Sequence, residues 1–469
     1  MADTPALTAE FVAASEADWR ALVDKTLGET PFATLEKSTA EGISIAPLYA
    51  PAHQPVAPAR AVPADRAWEV ATFTAHPDAS RANAEMLADL RGGAAAATLR
   101  LDPSGKTGVA VGSADGLGRA LDQVILELAP VALDAGFLGP QAADWFGAVA
   151  KASPSARLRF HLDPLSAFAE AGSSPGPIEA HLISAANVAA RLADTYPQAQ
   201  LFLASGRVVH EAGGGEAVEV AFAAGAAVAY ARGLVRAGMP MAQAFSRITL
   251  GLSADADYFA TIAKLRAARA VWARIAAACG ADPMARIEAR SSRRMLTAKD
   301  AWTNMIRLTA AGFGAAVGGA DTVLLGAFTD ALGLPTEFAR RQSRNTQLVL
   351  MEEAHVGRVA DPAAGSGYVE ALTDQIARRA WAEFQAMEAA GGLAAALAAG
   401  GVARAVEAAK AARPEPKIIG VTAFPPAEDT PVEVEIAAAR AVDAPSARLP
   451  GPDSACPPLT PMRIAESFE

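Results

Sequence analysis

Several side chains that can transfer protons or bind anions stand at the ends of short apolar segments of the sequence. They are Asp102, His161, Asp163, His210, Glu211, Glu288, Arg290 and Asp330, with Arg286 beside one of these segments. A histidine next to a carboxylate can act in general acid–base catalysis, but it is equally an ordinary hydrogen-bonded residue of a loop. Spacing alone assigns none of these groups a role. We take His210, Glu211, Arg286 and Arg290 as the candidates to follow.

Two glycine-containing strings could bind a cofactor or a phosphate. Asp361–Gly367 (DPAAGSG) is similar to the turn with which adenine N6-methyltransferases hold S-adenosylmethionine, yet it follows helical patterns rather than a first strand, and no NPP string accompanies it. A helix N-terminus with Ser366 near the cap is favoured. Gly105–Thr107 (GKT) lacks the upstream glycine of a phosphate-binding loop, since Arg100 stands there, and is interpreted as an ordinary loop.

The metal ligands of the sequence are too scattered to predict a metal site. Six histidines lie far apart, none of them in an HExxH string, and the two cysteines, Cys279 and Cys456, have no ligand-like neighbours. We therefore expect neither a bound metal nor a disulfide.

Composition narrows the class of protein. The chain has 469 residues, 52% of them hydrophobic, and a net charge of −10 without any basic cluster, which argues against a nucleic-acid partner. The most apolar stretch, 217–233, contains Glu219 and Arg232, so we expect no membrane span. The acidic N-terminus is unlike a signal or transit peptide, which predicts a cytoplasmic location.

The elements that must position these groups alternate along the chain. Strand-like segments occupy 68–75, 97–102, 131–136, 156–163, 199–205, 248–254, 286–292 and 321–328, separated by amphipathic stretches at 80–91, 115–128, 140–151, 176–195, 215–237, 255–278 and 298–313. Eight successive strand–helix units predict an α/β fold, a (β/α)₈ TIM barrel, whose carboxyl-terminal mouth carries the candidate residues.

The chain divides into four predicted parts. Residues 1–66 form an N-terminal helical extension, with a helix over about Thr8–Leu27, and a proline-rich connector; residues 67–334 form the barrel. Residues 335–437 form a helical region expected to pack outside the barrel. Residues 438–469, rich in proline and glycine, are predicted to be a linker or tail that stops in what looks like the first turns of a further helix.

Four longer strings together resemble the methylmalonyl-CoA mutase family. They are EGISIAPLY at 41–49, DYFATIAKLRAARAVWARI at 257–275, LGLPTEFARRQSRNTQLVLMEE at 332–353 and VGRVADPAAGSGYVEALT at 356–373. The strings FTAHPD and ATLRLDPS, at 73–78 and 97–104, resemble the family's small, non-catalytic chain in particular. The resemblance covers nearly the whole chain and implies the same barrel.

The resemblance also implies which groups a catalytic chain would carry. Family catalysts hold adenosylcobalamin in a flavodoxin-like C-terminal domain through a DxHxxG string, and no histidine here has an aspartate two positions before it. We therefore expect no cobalamin-binding domain in this chain. The positions of the family's site residues fall at Thr72, Arg207, Val208 and Leu324, where tyrosine, tyrosine, histidine and histidine are expected.

These departures predict a structural subunit. The resemblance implies a heterodimer in which a large catalytic partner binds adenosylcobalamin and the acyl-CoA and interconverts methylmalonyl-CoA and succinyl-CoA. One alternative is an active acyl-CoA mutase barrel that uses a separate cobalamin-binding subunit. Another, of a different class, is an S-adenosylmethionine-dependent methyltransferase built on DPAAGSG.

Overall fold

Eight short apolar segments form the central strands of the computed structural model, which describes residues 14–52, 54–58, 60 and 66–469. The strands are β1 Glu69–Thr74, β2 Ala96–Arg100, β3 Val131–Asp134, β4 Arg159–Leu162, β5 Gln200–Ser205, β6 Ile248–Ala254, β7 Ile287–Ser291 and β8 Thr322–Leu324. Each pairs in parallel with the next, and β8 pairs with β1 to close the ring. The predicted (β/α)₈ barrel is confirmed, with every strand inside its predicted segment or within one residue of it.

Helices surround this barrel because each strand is followed by an alanine-rich amphipathic stretch. Before and within the barrel they are α1 Glu16–Leu27, α2 Ala79–Arg91, α3 Ala114–Ala120, α4 Gly139–Val149, α5 Pro164–Ala171, α6 Ile178–Thr195, α7 Arg207–Glu211, α8 Glu216–Arg236, α9 Met241–Ser246, α10 Tyr258–Ala278 and α11 Asn304–Val317. After it come α12 Glu337–Leu348, which continues as one π-helical turn, α13 Gly367–Ala389, α14 Leu393–Ala398 and α15 Gly401–Ala411. Helix α1 begins at a capping box on Ser15, and the earlier part of the predicted Thr8–Leu27 helix lies outside the described residues.

Helix α8 is the central helix of the outer layer. Within the described part of the chain it is the one helix long and apolar enough to cross a membrane, and most of its apolar stretch is buried inside the protein. Its first turn is capped by a side chain from the N-terminal extension, since the Glu41 carboxylate accepts hydrogen bonds from the backbone N–H groups of Ala217 and Val218 at 2.9 and 3.2 Å. This contact fixes the extension to the barrel.

The helices that follow the barrel lie against its outer face, where α13 packs on α8 and α10. The buried guanidinium of Arg266 on α10 bridges two carboxylates of this region, Asp361 and Glu370. Asp361 belongs to DPAAGSG, and Ser366 caps α13, with its side chain accepting from the N–H of Val369. The interpretation of this string as a helix N-terminus is confirmed. Because no strand leads into it, the methyltransferase alternative loses its structural basis.

Residues 438–464, predicted to belong to a linker or tail, lie along the carboxyl-terminal rim of the barrel. The segment, which we call the strap, donates backbone hydrogen bonds from Val442 to Pro103, from Leu449 to Pro175 and from Met462 to Glu211. Gly112 on the rim has no room for a side chain, because a Cβ there would lie 1.9 Å from the carbonyl oxygen of Asp443. The strap is therefore seated on the barrel along most of its length.

Candidate functional site

The bore of the barrel is crossed near its amino-terminal end by an ion pair. Arg159 on β4 reaches the opposite wall, where its guanidinium binds the carboxylate of Glu69 on β1 and lies 3.3 Å from the hydroxyl of Thr322 on β8. Thr322 also donates to Glu69 at 2.8 Å. β4 faces β1 and β8 across the ring. These side chains therefore occupy the bore between the two mouths of the barrel.

A second polar contact crosses the bore one step higher. Nδ1 of His161 on β4 is 3.9 Å from Oε2 of Glu288 on β7, and both side chains are almost fully buried. Neither His161 Nε2 nor Glu288 Oε2 has a hydrogen-bond partner among the described residues. His161 has φ +46°, in the left-handed region, where β4 also shifts register against β5. The strand is bent so that this imidazole points into the bore.

The position of His161 predicts acid sensitivity of the fold. Burial lowers its pKa from 6.5 to about 4, against the opposing effect of Glu288. As pH falls from about 6.5 to 4, the unfolded chain takes up a proton that the folded chain does not, so the free energy of unfolding decreases, by about 3 kcal/mol from this residue. We expect His161→Asn, which tolerates the left-handed backbone, to flatten urea-unfolding stability measured between these pH values.

His355 provides the matched control, because it is exposed and has a similar φ of +55°. His355→Asn is expected to leave the pH dependence as it is in the unaltered chain. Equal pH profiles for the unaltered chain and His161→Asn would contradict the assignment.

Above these two crossings, the barrel opens at its carboxyl end into a cavity of about 980 Å³. Its walls are the ends of seven strands and the loops that follow them, and residues of the strap contribute to its rim. Arg290, Leu324, Ala71 and Ala96 are neighbours on four adjacent strands at this level of the barrel. The bore can widen here because two of these four side chains are small alanines. A second cavity, of about 960 Å³, lies at the amino-terminal mouth, where Glu69 lines it. The crossings separate the two.

Arg290 is the most perturbed basic group of the carboxyl-terminal cavity. Its guanidinium stacks 3.6 Å from the ring centroid of Phe73, and its closest carboxylate, Asp134, is 3.8 Å away. Burial, followed by the charges of Arg207 and Arg100, lowers the pKa of Arg290 to about 9. Two further arginines of the cavity therefore lie close enough to Arg290 to disfavour its charge.

The four predicted barrel-mouth residues separate in the structure. Glu211 and Arg290 line the carboxyl-terminal cavity, whereas Arg286, which precedes β7, lies at the opposite mouth. His210 is fully buried and does not line either cavity, which corrects its placement at the mouth. Its ring is held between two carboxylates instead, with Nδ1 3.2 Å from Glu219 and Nε2 3.1 Å from Asp255.

The surroundings of His210 form a buried charge network. Lys264 on α10 binds Glu219 on α8 at 2.6 Å, and Arg294 binds Asp255 at 2.9 Å. Burial opposes the ionisation of Glu219, but Lys264 and His210 outweigh it and lower its pKa to about 2. Because every charge here is paired and removed from the cavity, the network serves packing of α8 and α10 on the barrel rather than chemistry.

The sequence of this chain is similar to those of one enzyme family. The sequence model of the family described as methylmalonyl-CoA mutase matches residues 57–448. A protein of Streptomyces virginiae named methylmalonyl-CoA mutase small subunit is 37% identical over 93% of this chain and 74% of its own length. The chain belongs to the methylmalonyl-CoA mutase family.

Two further relatives carry the same kind of name. A probable methylmalonyl-CoA mutase small subunit of Mycobacterium tuberculosis is 41% identical over 78% of this chain, and the small subunit of Propionibacterium freudenreichii subsp. shermanii is 34% identical over 84%. The alignments span 62% and 65% of these two relatives, so each is longer than the region that it shares with this chain.

The four positions that the sequence resemblance assigned to the mutase site lie in different surroundings. Val208 on α7 and Leu324 on β8 are buried apolar side chains, and Arg207 at the start of α7 lines the cavity. Thr72 is among the lining residues of the cavity and donates to Asp89 of α2 at 2.7 Å. Its neighbour Phe73 lies in the bore, packed with Leu324 and two alanines.

The carboxyl-terminal cavity offers no cobalt ligand for adenosylcobalamin, the cofactor that the mutase family implies. Two histidines line this cavity; His76 uses both ring nitrogens, toward Glu435 and the N–H of Asp78, and His161 lies in the floor. We therefore assign no step to a cofactor in this chain.

Proposed function

We propose that this chain is the non-catalytic small subunit of a heterodimeric adenosylcobalamin-dependent methylmalonyl-CoA mutase. The large partner subunit binds adenosylcobalamin and the acyl-CoA and interconverts methylmalonyl-CoA and succinyl-CoA. The chain acts in the cytoplasm, without a nucleic-acid or membrane partner. The names of the relatives support a subunit role, since three of them are small subunits of the mutase.

The observation that carries the proposal is the closed bore. A catalytic barrel of this family must admit the pantetheine arm of its substrate, whereas here Arg159 binds Glu69 across the barrel, above the amino-terminal cavity. The groups above it are also unsuited to the reaction. Val208 cannot donate a hydrogen bond to a thioester carbonyl, and Leu324 cannot either, so no transition-state stabilisation is available from these positions.

A barrel that catalyses no reaction itself contributes to the complex through its surface. A subunit that binds only the folded form of its partner stabilises that form by mass action, increasingly with its concentration. In this proposal the barrel and the N-terminal extension pack on the large subunit and hold it in its folded, soluble state.

The test is to produce this chain and a large-subunit homologue from the same organism, separately and together. We expect a one-to-one complex in size-exclusion chromatography, a higher unfolding temperature of the large subunit in the complex, and adenosylcobalamin-dependent turnover in the large subunit and the complex only. A large subunit that is fully stable and active alone and forms no complex would contradict the proposal.

Adding a small cobalamin-binding protein to this chain alone completes the design. Turnover in that mixture would establish the alternative of an active barrel with a separate cobalamin subunit. Because the bore is closed, we expect no turnover in that mixture.

A further inference from the structure

Three arginines converge on the carboxyl-terminal cavity from different elements. Arg100 ends β2, Arg207 begins α7, and Arg290 lies on β7, and all three line the cavity wall. Arg207 Nε is buried without a hydrogen-bond partner in the described part of the chain. The closest carboxylate of Arg290 is 3.8 Å away, which is too long for a hydrogen bond. Since an arginine presents several N–H donors in a planar fork, this cavity offers donors that the chain does not use.

Most acidic groups of the same cavity are already engaged by the chain. Asp102 accepts from Ser104 and Thr107 within its own loop, and Glu211 accepts from the backbone N–H of Arg293. Asp163 accepts from the Tyr230 hydroxyl at 2.5 Å, and burial raises its pKa to about 7. Glu85 binds Arg340, and Asp330 accepts from the backbone N–H of Ala327. The other carboxylates of the lining are Glu170, Asp134, which is 40% exposed, and Glu288 in the floor. Within the described part of the chain, Arg207 and Arg100 form no salt bridge with any of these carboxylates.

A buried polar atom in the floor gives a second, independent indication of a ligand. His161 lines the cavity and is nearly inaccessible, and its Nε2, which can donate to an oxyanion, has no partner among the described residues. A buried polar atom left unpaired is unfavourable, so proteins normally satisfy it with a ligand, an ion or ordered water. This nitrogen lies in the floor below the arginines, where a bound anion could reach it.

We infer that the carboxyl-terminal cavity of this barrel binds a compact multivalent anion, a phosphate group or a polycarboxylate, between Arg100, Arg207 and Arg290. Arginine forks match both oxyanions in shape and charge. A volume of about 980 Å³ accommodates a small metabolite, and the crossings beneath it leave no passage for an extended thioester arm. The inference is independent of the proposed subunit role, because it concerns free ligand and this chain alone.

The test is calorimetric titration of the full chain with inorganic phosphate and, in a second arm, with citrate, at constant ionic strength. Saturable binding of either anion is expected, and the arm that binds more tightly distinguishes a phosphate from a polycarboxylate ligand. Arg207→Gln and Arg100→Gln are each expected to weaken binding about tenfold or more, the effect of losing a charge-assisted hydrogen bond. We expect coenzyme A, added in the same buffer, to displace the bound anion no more strongly than its phosphate groups alone would.

Arg286→Gln is the matched control, because this arginine lies at the opposite mouth. Its affinity for the anion should equal that of the unaltered chain. Absence of saturable binding in both arms would overturn the inference. So would a loss of anion affinity in Arg286→Gln as large as the loss in Arg207→Gln or Arg100→Gln. Because the substitutions at Arg207 and Arg100 are on separate elements, a folding defect in one, seen by circular dichroism, leaves the other to decide.

Discussion

Lys264→Met is expected to lower the free energy of unfolding by about 3–5 kcal/mol, because it leaves a buried carboxylate without its closest counter-charge. Lys264 and Glu219 are both inaccessible to solvent, and the 2.6 Å contact joins α10 to α8. Methionine retains most of the volume, so loss of packing contributes little. The measurement is urea unfolding followed by tryptophan fluorescence and circular dichroism, whose transitions should coincide if a single free energy is to be taken.

A second substitution separates charge from packing. In Lys264→Met/Glu219→Gln the orphaned charge is removed, so part of the lost stability should return. Lys410→Met is the control on the surface, where Lys410 pairs with the exposed Glu407 at 2.9 Å and the expected change is within about 0.5 kcal/mol. Similar losses at Lys264 and Lys410 would show that the buried network does not stabilise the fold.

Arg207→Tyr/Val208→His is expected to leave this chain without mutase activity, although it restores the side-chain types of the family's catalytic chains at both positions. Both positions face the carboxyl-terminal cavity. The bore beneath stays closed by Arg159 and Glu69, and Leu324 remains apolar, so the thioester cannot be placed under the new histidine. A correctly placed acid–base group contributes on the order of 10²–10⁴-fold to rate, and this contribution requires the substrate in position.

The assay is conversion of methylmalonyl-CoA by the purified double variant with adenosylcobalamin, beside a catalytic homologue. Turnover within about a thousandfold of that homologue would show that two side chains, rather than the bore, determine inactivity. The reciprocal substitutions, arginine and valine at the matching positions of the large subunit, should abolish its activity while the complex still forms.

The barrel could be predicted from the sequence because its signals are local. Strand-length apolar runs such as Ile248–Ala254, buried at every residue, alternate with long amphipathic helices, and this alternation is typical of parallel barrels. Helix limits were less accurate. The stretch predicted as helix from residue 298 starts only at Asn304, since Asp300 adopts φ +48° and the Asn304 side chain is bonded to the loop before it.

The site was less predictable, because its partners are distant along the chain. In the sequence Glu219 is only a charge that interrupts an apolar helix, and nothing local indicates that Lys264 and His210 neutralise it. Phe73 lies in the bore, packed with Leu324, and the sequence does not indicate that contact because the two residues are far apart along the chain. Residues 438–469 have the composition of a linker, and composition cannot show that the rim offers glycines against which such a segment packs.

The crossing between Arg159 and Glu69 has a consequence for the kinetics of folding. It joins β4 to β1, 90 residues earlier, while Thr322 on β8, 163 residues later, takes part in the same contact. First, middle and last strands must all be in place before it forms, so we expect it to form after the rate-limiting step, which folding and unfolding rates of Arg159→Met would test. Interactions absent from the transition state slow unfolding without accelerating folding. The crossing therefore contributes mainly to the lifetime of the closed barrel.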